Sequence, residues 1–207
     1  MPLTDLRETT GDDAAAGRGD AAAVPPPRER RLDARRNLEA IIDAARRTFA
    51  KDPRASMQQV AEAAGLHRAT VHRHFASRDD LLNALGARAM EESLQALRGA
   101  RIEEGSAADA VRRATRAFVE ITDRWQLGRY TAVYHTGPAV EEMRRLMTAL
   151  IARGQREGTV RADLGDGVLT TVWAGVLSNA GVFLEQGMSV DEAADVIATV
   201  ILGGGGR

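Results

Sequence analysis

The chain has 207 residues, 44% of them hydrophobic, which is enough length and apolar content to bury a sizeable core. It contains no cysteine, which excludes disulfides, thiol catalysis and cysteine-ligated metals. The formal net charge of −1 hides a sharp asymmetry: residues 28–78 hold twelve basic and six acidic side chains, while the segments on either side are net acidic. A basic block of that size is the footprint of a polyanion-binding surface or of a plain solvated face, and charge alone does not separate the two.

Alanine is abundant, aromatic residues make up only 4%, and apolar positions recur at helical spacing with no convincing period-two alternation. These features predict an all-α protein. Residues 1–30, rich in Ala, Gly, Asp and Pro, lack periodic apolar positions and read as a disordered arm. Its start, "MPLTDLRETTGDDAAAGRGD", has no apolar core of a secretory leader, and no apolar run is read as approaching the roughly 18 residues of a membrane span. The expectation is a soluble, cytoplasmic chain without a membrane partner.

The first helix lies in "LDARRNLEAIIDAARRTFAKD", where Leu38, Ile41, Ile42, Ala45 and Phe49 form one stripe and Asp52-Pro53 ends it. In "SMQQVAEAAG", Ser56 and Gln59 make a capping box and Gly65 supplies a C-cap. Only Leu66 then precedes "HRATVHRHF", so two short helices joined by a tight glycine turn are expected: a helix-turn-helix. Longer helices follow. "RDDLLNALGARAMEESLQAL" links the two parts. "SAADAVRRATRAFVEITDRW" opens on the Ser106–Asp109 box, and "AVEEMRRLMTALIARGQREG" comes after the Gly137-Pro138 break. "VLTTVWAGVLSNAGVFLEQG" is so apolar that burial on most sides is expected, and "SVDEAADVIATVIL" opens on the Ser189–Glu192 box. The division expected is an arm at 1–30, a helix-turn-helix domain at 31–78, a larger helical domain at 79–202 and a disordered tail at 203–207.

Three of the four histidines fall in residues 66–75, "LHRATVHRHF". On a helical wheel Val71 and Phe75 share the face that must pack inward. Arg73 points nearly opposite, flanked by Ala69 and Thr70, with His72 on one shoulder, Arg68 at the helix start, and His67 and His74 beside the buried face. Metal binding fits poorly, because His72 and His74 are two apart and neither has a ligand partner at i+4. No nucleophile, base and orienting group stand together here, so catalysis fits no better and no cofactor is implied. A small-residue helix face bearing Arg, Thr and His does suit phosphate oxygens and base edges in a major groove.

At this point the stretch "NLEAIIDAARRTFAKDPRASMQQVAEAAGLHRATVHRHFASRDDLLNAL" resembles the DNA-binding domain of the TetR family of transcriptional regulators, over about residues 31–85. The resemblance implies three helices with the third in the major groove, followed by helices that bind an inducer and dimerise. Carried onto this sequence, it implies that Arg68 and Ala69 approach base edges, Arg73 reaches base or phosphate, and Thr70, His72, His74 and Arg78 approach the backbone. Ser56, at the start of the preceding helix, is counted with them. Two departures stand out: His67 occupies a position where the family has a capping Ser or Thr, and His72 one where tyrosine is common. Whether "RERRLDARR" lays the arm along a minor groove or is a solvated tether stays open.

In the larger helical part, Ala174, Ser178 and Gly181 on one helix and Ala194, Ile197 and Ile201 on the last are similar to the dimerising pair of the family, with intrachain packing as the other reading. Phe118, Trp125, Tyr130, Tyr134, His135, Met143, Met147, Trp173 and Asn179 are the expected lining of an effector pocket suited to a flat or greasy molecule. The functional expectation is therefore a non-enzymatic, homodimeric regulator, a repressor released from a palindromic double-stranded operator by a small-molecule effector. The alternative is a DNA-binding architectural or protein-partner-controlled factor with no inducer.

Overall fold

The computed structural model describes residues 27–126 and 137–203, and their regular elements are all helices: α1 (Pro27–Lys51), α2 (Met57–Ala64), α3 (Arg68–His74), α4 (Arg78–Gly99), α5 (Ala107–Trp125), α6 (Pro138–Arg156), α7 (Asp166–Ser178), α8 (Ala180–Glu185) and α9 (Val190–Leu202). The all-α expectation holds. Helix α1 begins inside the stretch read as a disordered arm, because Pro27 can occupy a first helical turn without losing a hydrogen bond and the Arg and Glu residues after it are good helix formers.

Local chemistry sets most of the remaining ends. Reciprocal capping boxes open α2 (Ser56 with Gln59), α4 (Ser77 with Asp80) and α9 (Ser189 with Glu192). Gly65 closes α2 at φ +67°, a left-handed conformation that only glycine adopts without strain, and its N–H and that of Leu66 donate back to Glu62 and Ala61. Helix α3 starts without a side-chain cap, as the histidine at position 67 led us to expect.

Two apolar cores result. The first gathers Ile41, Ala45, Phe49, Val60, Val71 and Phe75 from α1–α3, together with Leu81, Leu85 and Ala89 from α4 and Ile121 and Trp125 from the end of α5. The second takes Leu94 and Leu97 from the far half of α4 and joins them to α5, α6, α7 and α9 around Trp173. Helix α4 is thus shared between the cores, so the composition change near residue 78 does not mark a physical break. Leu38, expected on the buried stripe, is 38% exposed, and Ala44 is buried instead.

The apolar helix after residue 165 departs from expectation twice. It breaks into α7 and α8 at Asn179, whose side-chain amide donates to the Gly175 carbonyl. It is also buried on one face only: Leu169, Trp173, Leu177 and Ala180 point inward, whereas Val168, Val172 and Val182 stand in solvent. Over Asp166–Glu185 the segment has the length and mean hydropathy, 1.5, of a membrane-crossing helix, contrary to the reading that no run approaches one. The break at Asn179 and the inward packing against α5, α6 and α9 distinguish it from a continuous span. What remains is an uncovered valine face.

Candidate nucleic-acid interface and an apolar cavity

Helix α3 is held by its inner face, where Val71 is fully buried and Phe75 is 7% exposed at its C-cap. Arg68, Ala69, His72 and Arg73 are exposed on the outside. Thr70 is half-buried, and so is His74, whose Nε2 is covered and lacks a hydrogen-bond partner, so that nitrogen cannot meet a phosphate. The Arg68 Nε–H donates to His72 Nε2 at 3.2 Å, a one-turn bond that ties two of the outward residues together. Ser56 is exposed, but its hydroxyl is engaged by Gln59 in the α2 cap.

Arg78 differs from the role implied for it. Its guanidinium donates to the carbonyls of Pro53 and, at 3.4 Å, Ala55, and lies 4.9 Å from the Phe49 ring centroid. It pins the α1–α2 loop and covers the Phe49 ring, an internal fastening that engages its Nε and Nη2 donors.

In the larger part, a small cavity of about 100 Å³ opens between α4, α5, α6 and α7. Phe118, Met143 and Met147 line it as expected, joined by Met90, Ser93, Thr122, Val140 and Leu177, which sequence reasoning missed. Met90 and Ser93 escaped notice because α4 was read as a mere linker. Thr122 had a signal available, lying one turn beyond Phe118 on the same face.

Several other expected lining residues have different work. Trp173 is fully buried and its indole N–H donates to Thr115 Oγ1 at 3.1 Å, a core role. Asn179 is exposed and bonds its own helix. Trp125 belongs to the first core, donating its indole N–H to Glu92 Oε2 at 2.9 Å beneath the Arg46 guanidinium, which also donates to the Arg124 carbonyl. Tyr130, Tyr134 and His135 lie outside the described residues.

Of the two helix faces expected at a dimer contact, the one on α9 needs a similar correction. Ala194, Ile197 and Ile201 are buried inside the protomer, packed in the second core, and cannot form an outer surface. Ala174 and Ser178 are exposed at the rim of the cavity and Gly181 is half-buried, so that face of α7 and α8 stays open to a partner. The large apolar residues exposed on these helices are Val168, Val172, Val182, Val196 and Val200, each more than 40% exposed.

A two-helix reading unit with a basic outer face, mounted on a larger helical body that encloses a cavity, is the architecture of a helix-turn-helix regulator. The family described as bacterial regulatory proteins, tetR family, matches residues 41–85. The repressor LfrR of Mycolicibacterium smegmatis is 36% identical over 86 residues, covering 42% of this chain and 46% of its own, so that alignment spans about half of the relative's length. The regulator NfxB of Pseudomonas aeruginosa is 26% identical over 143 residues, covering 65% of this chain and 75% of its own. The crystal structure of LfrR from Mycobacterium smegmatis in complex with proflavine superposes with a TM-score of 0.65 at 25% identity, covering 82% of this chain and 96% of that one. Residues 41–85 thus match the DNA-binding domain of the TetR family, and the chain as a whole is similar in fold to the TetR-like regulator LfrR.

Proposed function

We propose that this protein is a cytoplasmic, homodimeric transcriptional repressor that holds a palindromic operator and lets go when a small molecule enters the cavity. The observation that carries the reading is the division of α3: Val71 and Phe75 anchor it while Arg68, Ala69, His72 and Arg73 face outward from a glycine-turned helix pair. Arginine donates to guanine edges and phosphates, and an alanine between such residues permits close approach to the groove. Two-fold symmetry follows from the valine face of α7–α9, whose burial against a second copy would seat two recognition helices on two half-sites.

The cavity supports the regulatory half of the proposal. Three methionines, a phenyl ring and the hydroxyls of Ser93, Thr122 and Ser178 suit an apolar aromatic molecule with one or two hydrogen-bonding groups. LfrR was crystallised with proflavine, a flat aromatic, which makes such dyes sensible first probes. At about 100 Å³ the space is well below the roughly 300 Å³ at which drug-sized pockets begin, so an occupant must spread its walls. Those walls include Met90 and Ser93 on α4 and Phe118 and Thr122 on α5. Both helices reach into the first core, α4 at its start through Leu85 and α5 at its end through Trp125, so spreading them disturbs the seat of the helix-turn-helix. A ligand that prefers the spread state lowers operator affinity by population shift.

The test is selection of bound duplexes from a random library, followed by release with an aromatic probe. A palindromic motif whose binding is released by the probe is the expected result. Binding without enrichment, weakening uniformly with salt, would sink the reading in favour of phosphate contact alone.

A further inference from the structure

Arg68 and His72 stand one turn apart on the outer face of α3, both exposed, joined by the Arg68 Nε–H···Nε2 His72 bond at 3.2 Å. Neither side chain has another hydrogen bond or ion pair among the described residues. The bond has two chemical consequences. An Nε2 that accepts belongs to a neutral imidazole carrying its proton on Nδ1, which leaves Nδ1–H as an outward donor. A guanidinium whose Nε–H is already engaged presents its other edge, the two parallel N–H groups of Nη1 and Nη2. That edge has the spacing of the O6 and N7 acceptors of guanine.

We propose that His72 is a positioning residue that aims the Arg68 fork, and that the pair reads one G·C base pair in each operator half-site. The inference rests on the DNA-binding reading above. Arg73, which has no side-chain partner among the described residues, provides the internal contrast: its guanidinium is unaimed and fits a phosphate, where orientation matters less. Ala69, between the two in sequence and exposed, adds only a methyl group and lets the helix approach closely enough for the fork to reach a base edge.

The experiment uses the full-length protein at mildly alkaline pH, which favours the neutral imidazole that accepts from Arg68. Duplexes are selected from a random library with the wild type and with Arg68→Ala, His72→Leu, His72→Gln and the Arg68→Ala/His72→Leu double variant, after melting curves establish that each is folded. A bidentate arginine–guanine contact is worth roughly 5- to 150-fold in discrimination. We expect Arg68→Ala and His72→Leu to flatten preference at the same base pair of each half-site, by at least about fivefold, leaving the rest of the motif intact. The double variant should lose no more than Arg68→Ala alone, since the two act as one unit. His72→Gln, whose amide oxygen can accept from Arg68 Nε, should keep the preference. The proposal is overturned if His72→Leu weakens all duplexes equally and adds to Arg68→Ala, which is the behaviour of an independent phosphate contact, or if it changes nothing. Failure of the wild type to select any motif would overturn the DNA-binding reading itself, and that is seen before any variant is compared.

Discussion

The two exposed helix faces of this protein are opposites. The outer face of α3 is basic and polar over a buried Val71 and Phe75, while the outer faces of α7, α8 and α9 carry valines over an equally apolar inner face. A short helix with one apolar side can be docked in only one way, and burial energy alone chooses it. A helix that is apolar on both sides can be docked either way up, and its own pattern does not say which side is the core. The last helices are of the second kind.

The largest effect that separates the two inner and outer faces comes from α9 and α7. Ile197→Ala opens a void at a fully buried site and should cost about 2–5 kcal/mol in unfolding free energy, read by denaturant melts. A paired Val172→Asp and Val200→Asp change should do the reverse. Both residues are exposed in the protomer, so its fold should survive, while two charges placed in the proposed dimer contact should give monomers in sedimentation and remove operator binding at nanomolar concentration. If the valine variant stays dimeric, the two-fold contact lies elsewhere and the comparison fails.

On α3 and its surroundings the arginines divide in the same manner. Arg73→Ala should leave the melting temperature nearly unchanged and cost operator affinity about 1–3 kcal/mol by titration, because that side chain is exposed and bonded to nothing within the described chain. Arg78→Ala should show the inverse pattern, losing roughly 1–3 kcal/mol of stability as the Pro53 and Ala55 carbonyls lose their donor and Phe49 its cover. Equal loss of affinity at full stability in Arg78→Ala would restore it to the DNA surface.

A smaller effect lies at the joint between the regions. Trp125→Phe keeps the ring in the first core but removes the indole N–H that Glu92 accepts, at a cost of about 1 kcal/mol. Since α5 also carries Phe118 and Thr122 in the cavity wall, the variant should need more probe to release the same operator, measured as a shifted release curve with unchanged probe binding. An unshifted curve would place the coupling along α4 alone.

These contrasts explain what could be read in advance. Capping boxes at Ser56 and Ser189, the Gly65 turn and the Val71/Phe75 anchor are short-range signals, each decided within one helical turn, and they located the helix-turn-helix and its outward residues. Arg78 was misjudged because its fate depends on Pro53 and Phe49, more than twenty residues away. Trp125 and Trp173 were taken for pocket walls because bulky aromatics suit both roles; only the distant partners Glu92 and Thr115 decide between them. The α9 face is inverted for the same reason, since whether its isoleucines or its valines point inward is set by α5 and α7 rather than by periodicity.

The least effect, and one that reaches only the valine-bearing region, is acid. Glu192 is held below the usual glutamate range, chiefly because the Ser189 backbone N–H donates to its carboxylate and secondarily because the Ser189 hydroxyl does the same. A lowered carboxylate pKa means stability present above the unfolded-state value and lost as pH falls through the folded-state value. The start of α9 should therefore fray only on the acid side of the ordinary glutamate range and be indifferent to pH near neutrality. Glu142, lowered mainly by its bond to Arg145, and Asp163, lowered mainly by its bond to Arg161, titrate in the same direction on neighbouring elements. Glu192→Gln isolates the α9 contribution, because the amide can keep the capping bonds but cannot titrate. Amide exchange at residues 190–193 should lose its acid-induced rise in Glu192→Gln while α3 behaves as in the wild type. An unchanged acid response in that variant would move the effect to Glu142 or Asp163 and leave the α9 cap insensitive to pH.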